Sequence, residues 1–445
     1  MIRIAPFRAL CYSQKKIKDL SKVIAPPYDV ISKDEQDKLY KKSAYNFVRL
    51  DLNQEADSYN AVAQLLGEWQ SQGVLERDET PAIYFSAHRF KLKSGEQKLR
   101  LGFFGLTELQ DFSTGAIRPH EKTLDAPKED RLKLLLACNA QLSPIFVLYA
   151  QAKQTVNRIL SVAVEGMAPF IETQLDNGDE LKLWRVTDPE VIAKVQGEMA
   201  EQTLLIADGH HRYEATLRYR DRLRSERGAG TGHEAYNFIL TYFANIDDDN
   251  VVILPTHRLV RGFTHKPFLE LEDALQTYFY VEQHPKTPEG KTSFLKALKN
   301  AAKKHRVIGA SFKRDPRYLI LRLKNKRIMQ RLAKDMSAPL RELDVGTLHL
   351  LILEHILGMS PEEQVSGATI RYSQDEELVL QALEKEDYQA AFILAATNKE
   401  EIQAIVAANE TMPQKSTYFY PKLSSGLIVN KINLEETIEV DTDAH

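Results

Sequence analysis

The stretch Leu204-Leu-Ile-Ala-Asp-Gly-His-His-Arg-Tyr-Glu-Ala-Thr-Leu217 decides the reading of the fold. A short apolar run to Ala207 reads as a strand, Asp208-Gly209 as a turn, and His210 to about Arg227 as a helix stopped by Gly228. Working outward, strand patterns fall at Ala82–Phe90, Leu99–Glu108, Ile145–Tyr149, Tyr236–Tyr242 and Val251–Leu254, with a helix over Lys128–Cys138. Alternation of this kind predicts an α/β or α+β fold built on a mixed sheet, not a bundle or a sandwich. After Arg258 the texture changes to charged helices at Pro288–Lys304 (capped by Thr287), Val345–Leu357 (ended by Gly358) and Asp375–Glu386. Strands at Arg306–Ala310 and Tyr318–Leu323 lie between them. The expected division is therefore 1–260 and an α/β C-terminal domain, 261–445, whose loop 411–426 returns to the site of the first.

Bulk properties narrow the function classes. At ~150 residues per domain, 445 residues allow two or three domains. Lys plus Arg number 59 and Asp plus Glu 62, a net charge of −3, which argues against a polyanion-coating role, so no nucleic-acid partner is expected. The two cysteines, Cys11 and Cys138, form no metal or redox spacing and read as buried apolar residues in a reducing compartment. The N-terminus shows no secretory pattern, and the most apolar stretch, 132–150, is broken by Asn139, Gln141 and Pro144. A cytoplasmic protein without a membrane partner is expected.

The chemistry concentrates in five short segments. At Asp208-Gly209-His210-His211-Arg212 a helix starts directly after a strand, which leaves unpaired N–H groups and roughly +0.5 charge facing outward. Glycine permits close approach of an anion, and Arg212 adds a fork suited to phosphate. The dipole supplies only ~0.3–1 kcal/mol, whereas micromolar binding needs about 8 kcal/mol. Other cations must converge there. An ordinary turn with Asp208 as helix cap, or a zinc held by His210 and Glu214, are the alternatives at this segment.

The second segment, Ile117 to Arg131, gathers His120, Glu121, Lys122, Asp125, Lys128, Asp130 and Arg131, enough for a general base and phosphate clamps or for a solvated loop and capped helix. In Ile24-Ala-Pro-Pro-Tyr-Asp-Val-Ile31 two prolines stiffen a loop that would present Tyr28 and Asp29, or simply make a rigid turn. Leu254-Pro-Thr-His-Arg258 puts His257 and Arg258 at a strand end. Thr411 to Gly426 offers Lys415, Ser416, Thr417 and Lys422 among aromatics, which suits a lid over a ligand or a pin for the C-terminal segment. Two further runs take plainer readings: Asp247-Asp-Asp-Asn250 as a hairpin turn (with Mg²⁺ as the other option), and the arginines from Arg218 to Arg227 as a solvated helix face.

Taken together, A-P-P-Y-D-V-I (25–31), H-E-K-T (120–123) with P-K-E-D-R (127–131), I-A-D-G-H-H-R-Y-E (206–214), L-P-T-H-R (254–258) and M-P-Q-K-S-T-Y-F-Y-P-K-L (412–423) resemble, in order, the domain-of-unknown-function 1015 family. The D-G-H-H-R box in turn resembles the phosphate-binding box of the ParB/sulfiredoxin superfamily, which includes a free-serine kinase, the sulfiredoxins and CTP-binding partitioning proteins. That likeness implies a ParB/sulfiredoxin-like nucleotide-binding core, with phosphate contacts at Gly209, His210, His211 and Arg212. Histidine stands where sulfiredoxin has its cysteine, and the −3 charge does not suit a DNA-partitioning role.

The expectation is a nucleotide-dependent phosphotransferase of the free-serine-kinase type, using ATP or ADP with Mg²⁺ and acting on a small hydroxylated molecule, serine being one candidate. Lys128, Arg131, Lys415 and Lys422 would be further phosphate clamps. His120 or Glu121 would be the base, with Asp208, His210 and His211 in the catalytic set and Asp29 and Asp208 as possible Mg²⁺ ligands. Tyr28, Asp29, His257, Arg258, Ser416 and Thr417 would line the substrate side. A phosphatase or nucleotide hydrolase uses the same parts, and a non-catalytic nucleotide sensor needs only the phosphate binders.

Overall fold

The computed structural model describes residues 1–55, 57–121, 125–228, 230–263, 268–365 and 367–439. Lys122 and Thr123 of the H-E-K-T motif lie outside the described residues. The chain divides into two compact units, Met1–Pro119 with Thr123–Val252 and Pro421–His445, and His120–Lys122 with Ile253–Tyr420.

Among the described residues the first unit has a sheet of nine strands: β1 (Ile4–Ala5), β2 (Ile83–Lys91), β3 (Gln97–Glu108), β4 (Ile117–Pro119), β5 (Ile145–Tyr149), β6 (Ile171–Gln174), β7 (Glu180–Val186), β8 (Leu204–Asp208) and β9 (Phe238–Asn245). Their order is β4-β8-β5-β9-β3-β2-β7-β6, with β1 on β3. The pairs β4/β8 and β5/β9 are parallel and the remainder antiparallel, so the sheet is mixed, as the alternating sequence pattern predicts. Strands β5 and β9 are buried along their whole length, which is why they read as continuous apolar runs rather than as alternation. Side chains from β5, β8 and β9, including Ile145, Val147, Ile206, Ile239 and Phe243, form the core together with Val195, Met199 and Tyr213 from helices.

Two helices matter for the site. Helix α1 (Asp125–Cys138) packs against α2 (His210–Arg227). The α2 face that carries Tyr213, Ala215, Tyr219 and Leu223 is buried, and Gly228 ends the helix. Tyr213 Oη donates to the Gln110 carbonyl at 2.6 Å and accepts from its N–H at 3.1 Å, so the buried ring brings its own polar atom a partner. Arg220 corrects the reading of a solvated arginine face. It is 4% exposed, pairs with Asp221 and Asp111, and donates to the Leu109 carbonyl, because a long side chain on the inner edge of α2 can reach carboxylates and carbonyls of the neighbouring loop.

Asp247–Asn250 is a turn, but it does not close a hairpin, since β9 pairs with β3 and β5. Asp248 is buried and spends its carboxylate on the Asn250 N–H at 2.9 Å. Both cysteines are buried and free. Among the described residues no helix is long and apolar enough to cross a membrane.

Among the described residues the second unit has a six-stranded sheet, β10 (His257–Val260), β11 (Phe279–Pro285), β12 (Val307–Phe312), β13 (Arg317–Leu323), β14 (Ile370–Ser373) and β15 (Ala390–Ile393), in the order β11-β13-β12-β15-β10-β14 and antiparallel throughout. Helices α3 (Pro288–Ala302), α4 (Glu376–Lys385) and α5 (Lys399–Ala407) start at Thr287, Asp375 and Asn398, each of which accepts a first-turn N–H. Phe294, Leu298, Val379 and Leu383 from α3 and α4 close the core over Leu259, Val307, Ile320 and Ile393. The helix expected at Val345–Leu357 begins as α over Asp344–Gly346 and widens to π geometry over Thr347–Ile356, ending at Gly358 with φ +74°.

Candidate functional site

In the first unit the pairing of β8 with β5 slips by one residue between Ile206 and Asp208, a bulge that re-aims the end of the strand. Gly209 follows at φ +90°, where a Cβ would be strained and would stand 3.0 Å from the Arg212 guanidinium. Gly209, not Asp208, is thus the capping residue of α2. Asp208 instead faces two cations: Arg212 Nη2 lies 2.7 Å from Oδ2, and Lys422 Nζ bonds Oδ1. Arg212 also donates through Nη1 to the Pro144 carbonyl, while its Nε is buried and meets no acceptor among the described residues. At the start of α2 the chain therefore gathers a guanidinium, an ammonium and the helix N-terminus around one carboxylate.

Lys422 comes from far along the chain, and buried contacts hold it there. Arg100, 1% exposed, donates to the Pro421 carbonyl at 2.7 Å. Ser425 exchanges backbone hydrogen bonds with Ala25, at the head of the A-P-P-Y-D segment. Gly426 at φ +94° passes so close to Phe47 that a Cβ would be 2.8 Å from its ring. Asp51, 3% exposed, accepts from Ser425 Oγ at 2.8 Å and Ser143 Oγ at 3.1 Å, and lies 3.4 Å from Arg131 Nη1.

Arg131 stacks over the Tyr28 ring at 4.1 Å, and its second partner is Asp130 at 2.5 Å. Burial pushes the Tyr28 hydroxyl pKa up, against the lowering influence of Arg212 and Arg131. Burial lowers the Arg131 pKa, but Asp51, Tyr28 and Asp130 outweigh it and the net shift is upward. Lys128 shows the same balance, desolvation being overcome by Asp125 and Glu214, each 3.0 Å from Nζ. Asp29 is exposed beside Tyr28. His210 is buried and His211 half-buried. A cavity of about 50 Å³ opens among Asp51, Arg131, Ser143, Arg212 and Thr216, room for solvent-sized occupants only.

Zinc at His210 and Glu214 finds no support, since Glu214 is spent on Lys128 and no group of three His, Cys, Asp or Glu among the described residues could hold a metal. Mg²⁺ at Asp208 fits poorly as well, because both carboxylate oxygens already face a cation.

The remaining expected residues, His120, Glu121, His257, Arg258, Lys415, Ser416 and Thr417, belong to the second unit. Glu121 accepts backbone N–H groups from Lys415 at 2.9 Å, Ser416 at 3.0 Å and Thr417 at 3.1 Å, in a loop where Lys415 adopts φ +56°. His120, 1% exposed, bonds Thr417 Oγ1 through Nε2 at 2.7 Å, and its carbonyl accepts from Met412 N at 2.7 Å. These contacts make a carboxylate in a backbone nest, a geometry that fixes a loop. Arg258 is fully buried, donates to the Lys415 carbonyl at 3.0 Å, and is brought down to about 10 by desolvation. His257 accepts the Leu394 N–H on Nδ1 at 3.2 Å, with Glu376 at 3.9 Å from Nε2. Sequence reasoning missed Arg100, Asp51, Ser143 and Ser425. They sit in ordinary helix, strand and turn patterns, and what marks them is burial for Arg100, Asp51 and Ser425 and the bond to Asp51 for Ser143.

Comparison with solved structures gives a free serine kinase in complex with AMP (15% identity, 75% of this chain and 93% of that one, TM-score 0.35). It also gives a conserved hypothetical protein from Pyrococcus furiosus (14%, 73% and 95%, TM-score 0.34) and C-terminally truncated SbnI from Staphylococcus aureus (12%, 74% and 89%, TM-score 0.35). Likeness at that level carries no argument about chemistry. No curated protein matches. A family model described as "Protein of unknown function (DUF1015)" matches residues 4–346, most of the chain and all but the last of the five motifs. The chain belongs to the DUF1015 family.

Proposed function

We propose that the first unit binds the phosphates of a nucleotide, ATP or ADP, at the Gly209–Arg212 turn, and that the protein transfers a phosphoryl group between that nucleotide and a small hydroxylated metabolite. The observation that carries this reading is the convergence of Arg212 and Lys422, 210 positions apart, on Asp208 at the N-terminus of α2. Asp208 holds both cations in place, and an entering phosphate takes over as their partner, with the buried Arg212 Nε as a further donor. Phosphoryl transfer asks the protein mainly for positioning and charge neutralisation. Gly209, His210 and His211 supply the backbone edge of the cradle. Lys128 and Arg131, each already paired, buttress it, and Tyr28 walls it on the Arg131 side.

A second reading is a nucleotide sensor without chemistry. It is favoured by one observation: the residues expected to serve as base, His120 and Glu121, are committed to the loop 412–417.

Thermal shift against ATP, ADP, CTP and serine, with and without Mg²⁺, tests both. Ligand at 100 times its Kd adds ~2.7 kcal/mol, several degrees in Tm for a unit of this size. No shift with any nucleotide would overturn the proposal. A shift without turnover of nucleotide over a panel of small alcohols, serine first, selects the sensor. Arg212→Ala is expected to weaken the nucleotide shift markedly, at a moderate cost in ligand-free Tm because Arg212 also bonds Asp208 and the Pro144 carbonyl.

A further inference from the structure

A cavity of about 680 Å³ in the second unit is unrelated to any of the five motifs. Its volume falls within the ~300–1,000 Å³ of small-molecule sites. It opens beside the end of α3, between the end of β13, the segment Lys326–Thr347 and the start of α5. Six Lys or Arg side chains line it (Lys304, Arg306, Arg322, Lys324, Lys326 and Arg341) against three carboxylates, Glu342, Asp344 and Glu401.

How those charges are paired gives the cavity its character. Arg306 is paired with Glu401 at 2.8 Å, and Lys326 with Glu342 at 2.9 Å. Glu401 also closes the capping box of α5 by accepting the Asn398 N–H, so its carboxylate is fully engaged. Lys304, Arg322, Lys324 and Arg341 have no carboxylate partner among the described residues. Arg322 lies over the exposed Tyr280 ring at 4.9 Å, and Lys324 donates to the Gln276 carbonyl at 2.5 Å, so both are held in place although neither is neutralised. Cations kept together without counter-charges repel one another. A protein with a net charge of −3 has acids to spare, and here it sets only three of them against six cations.

We propose that this cavity is a binding site for a small organic polyanion carrying two or more phosphate groups, held by Lys304, Arg322, Lys324 and Arg341. Guanidinium forks suit phosphate oxygens in pairs, and two lysines add charge without demanding geometry. The concave shape favours a compact metabolite over an extended strand of nucleic acid. Asp344, at the cavity wall, is pushed up to about 7 by burial and by Glu401 against the influence of Arg306, which reduces the negative charge that such a ligand would meet.

The site is independent of the nucleotide proposed for the first unit, and the test separates the two. Calorimetric titration of inorganic tripolyphosphate is made into the full-length Arg212→Ala chain at near-physiological salt. Binding is expected there. It should weaken roughly tenfold or more in the additional double variant Arg322→Gln/Arg341→Gln, and measurably in Lys304→Gln, which keeps the arginines and guards against misfolding. Lys296→Gln, an exposed lysine outside the cavity, should leave it unchanged. Absence of binding to the Arg212→Ala chain, an equal loss in Lys296→Gln, or tighter binding of a single-stranded RNA oligomer than of tripolyphosphate would each overturn the proposal.

Discussion

The two cation clusters of this protein are built on opposite terms. In the first unit Arg131, Lys128, Arg212 and Lys422 all face carboxylates, and the cavity that Arg131 and Arg212 line is about 50 Å³. In the second unit the cavity holds about 680 Å³, and four of its six cations lack such partners among the described residues. The first cluster is wired before any ligand arrives, and a phosphate gains access by exchange with Asp208. The second has its charge standing open. Motif content and available charge are therefore different properties: the motif-rich site is the compensated one, and the uncompensated site carries no motif at all.

Breaking the first side of that comparison should cost the most. Asp51→Ala removes the acceptor of two serine hydroxyls and the buried partner of Arg131, with an expected loss of about 3 kcal/mol by denaturant unfolding. A loss below about 1 kcal/mol would mean that the network does not hold the first unit's site together.

On the other side, Asp344 is protonated in the folded chain at pH values where the unfolded chain has already released its proton. Its folded value of about 7 stands above the ordinary 3.8, so stability falls as pH rises between those limits and stays reduced above them. Asp344→Asn should therefore stabilise the chain at pH 8 by about 2 kcal/mol, with the gain shrinking toward pH 5. It should also flatten the pH dependence of tripolyphosphate binding, which in the native chain is tighter at pH 6 than at pH 8. The other titratable or charged groups around it are His305, Arg306, Arg341, Glu342 and Glu401. An unchanged pH profile in the variant would assign the effect to another group.

The smallest expected effect concerns Glu121. Glu121→Gln keeps one acceptor oxygen for the nest, so a loss of only about 1 kcal/mol is expected, together with any nucleotide turnover retained within a few-fold. A large fall in turnover with unchanged stability would restore Glu121 as a base and undo the reading of its carboxylate as the group that fixes the loop.

Legibility in the sequence followed the range of the interactions. Strand Ile145–Tyr149 and helix His210–Arg227 were readable to the residue or nearly so, because continuous apolar runs, Gly209 and Gly228 are local signals. The candidate site was legible as residues but not as an arrangement. Nothing local told Lys422 to join Asp208 while Lys415, seven positions earlier, belongs to the other unit. Arg220 was misread for a related reason: charge pattern on a helix shows which residues are polar, and the fold chooses which of them to bury.

By itself, then, the sequence determined the element types, the mixed character of the first sheet, the glycine at the start of α2 and the family, all set by backbone sterics and periodicity acting over a few residues. Tertiary structure decided which charges meet. It gave Asp208 to Arg212 and Lys422, Glu121 to the N–H groups of 415–417, and left Lys304, Arg322, Lys324 and Arg341 unneutralised around one cavity. Coulomb and hydrogen-bond energies depend on distance and burial, and across hundreds of residues neither is written in the order of the chain.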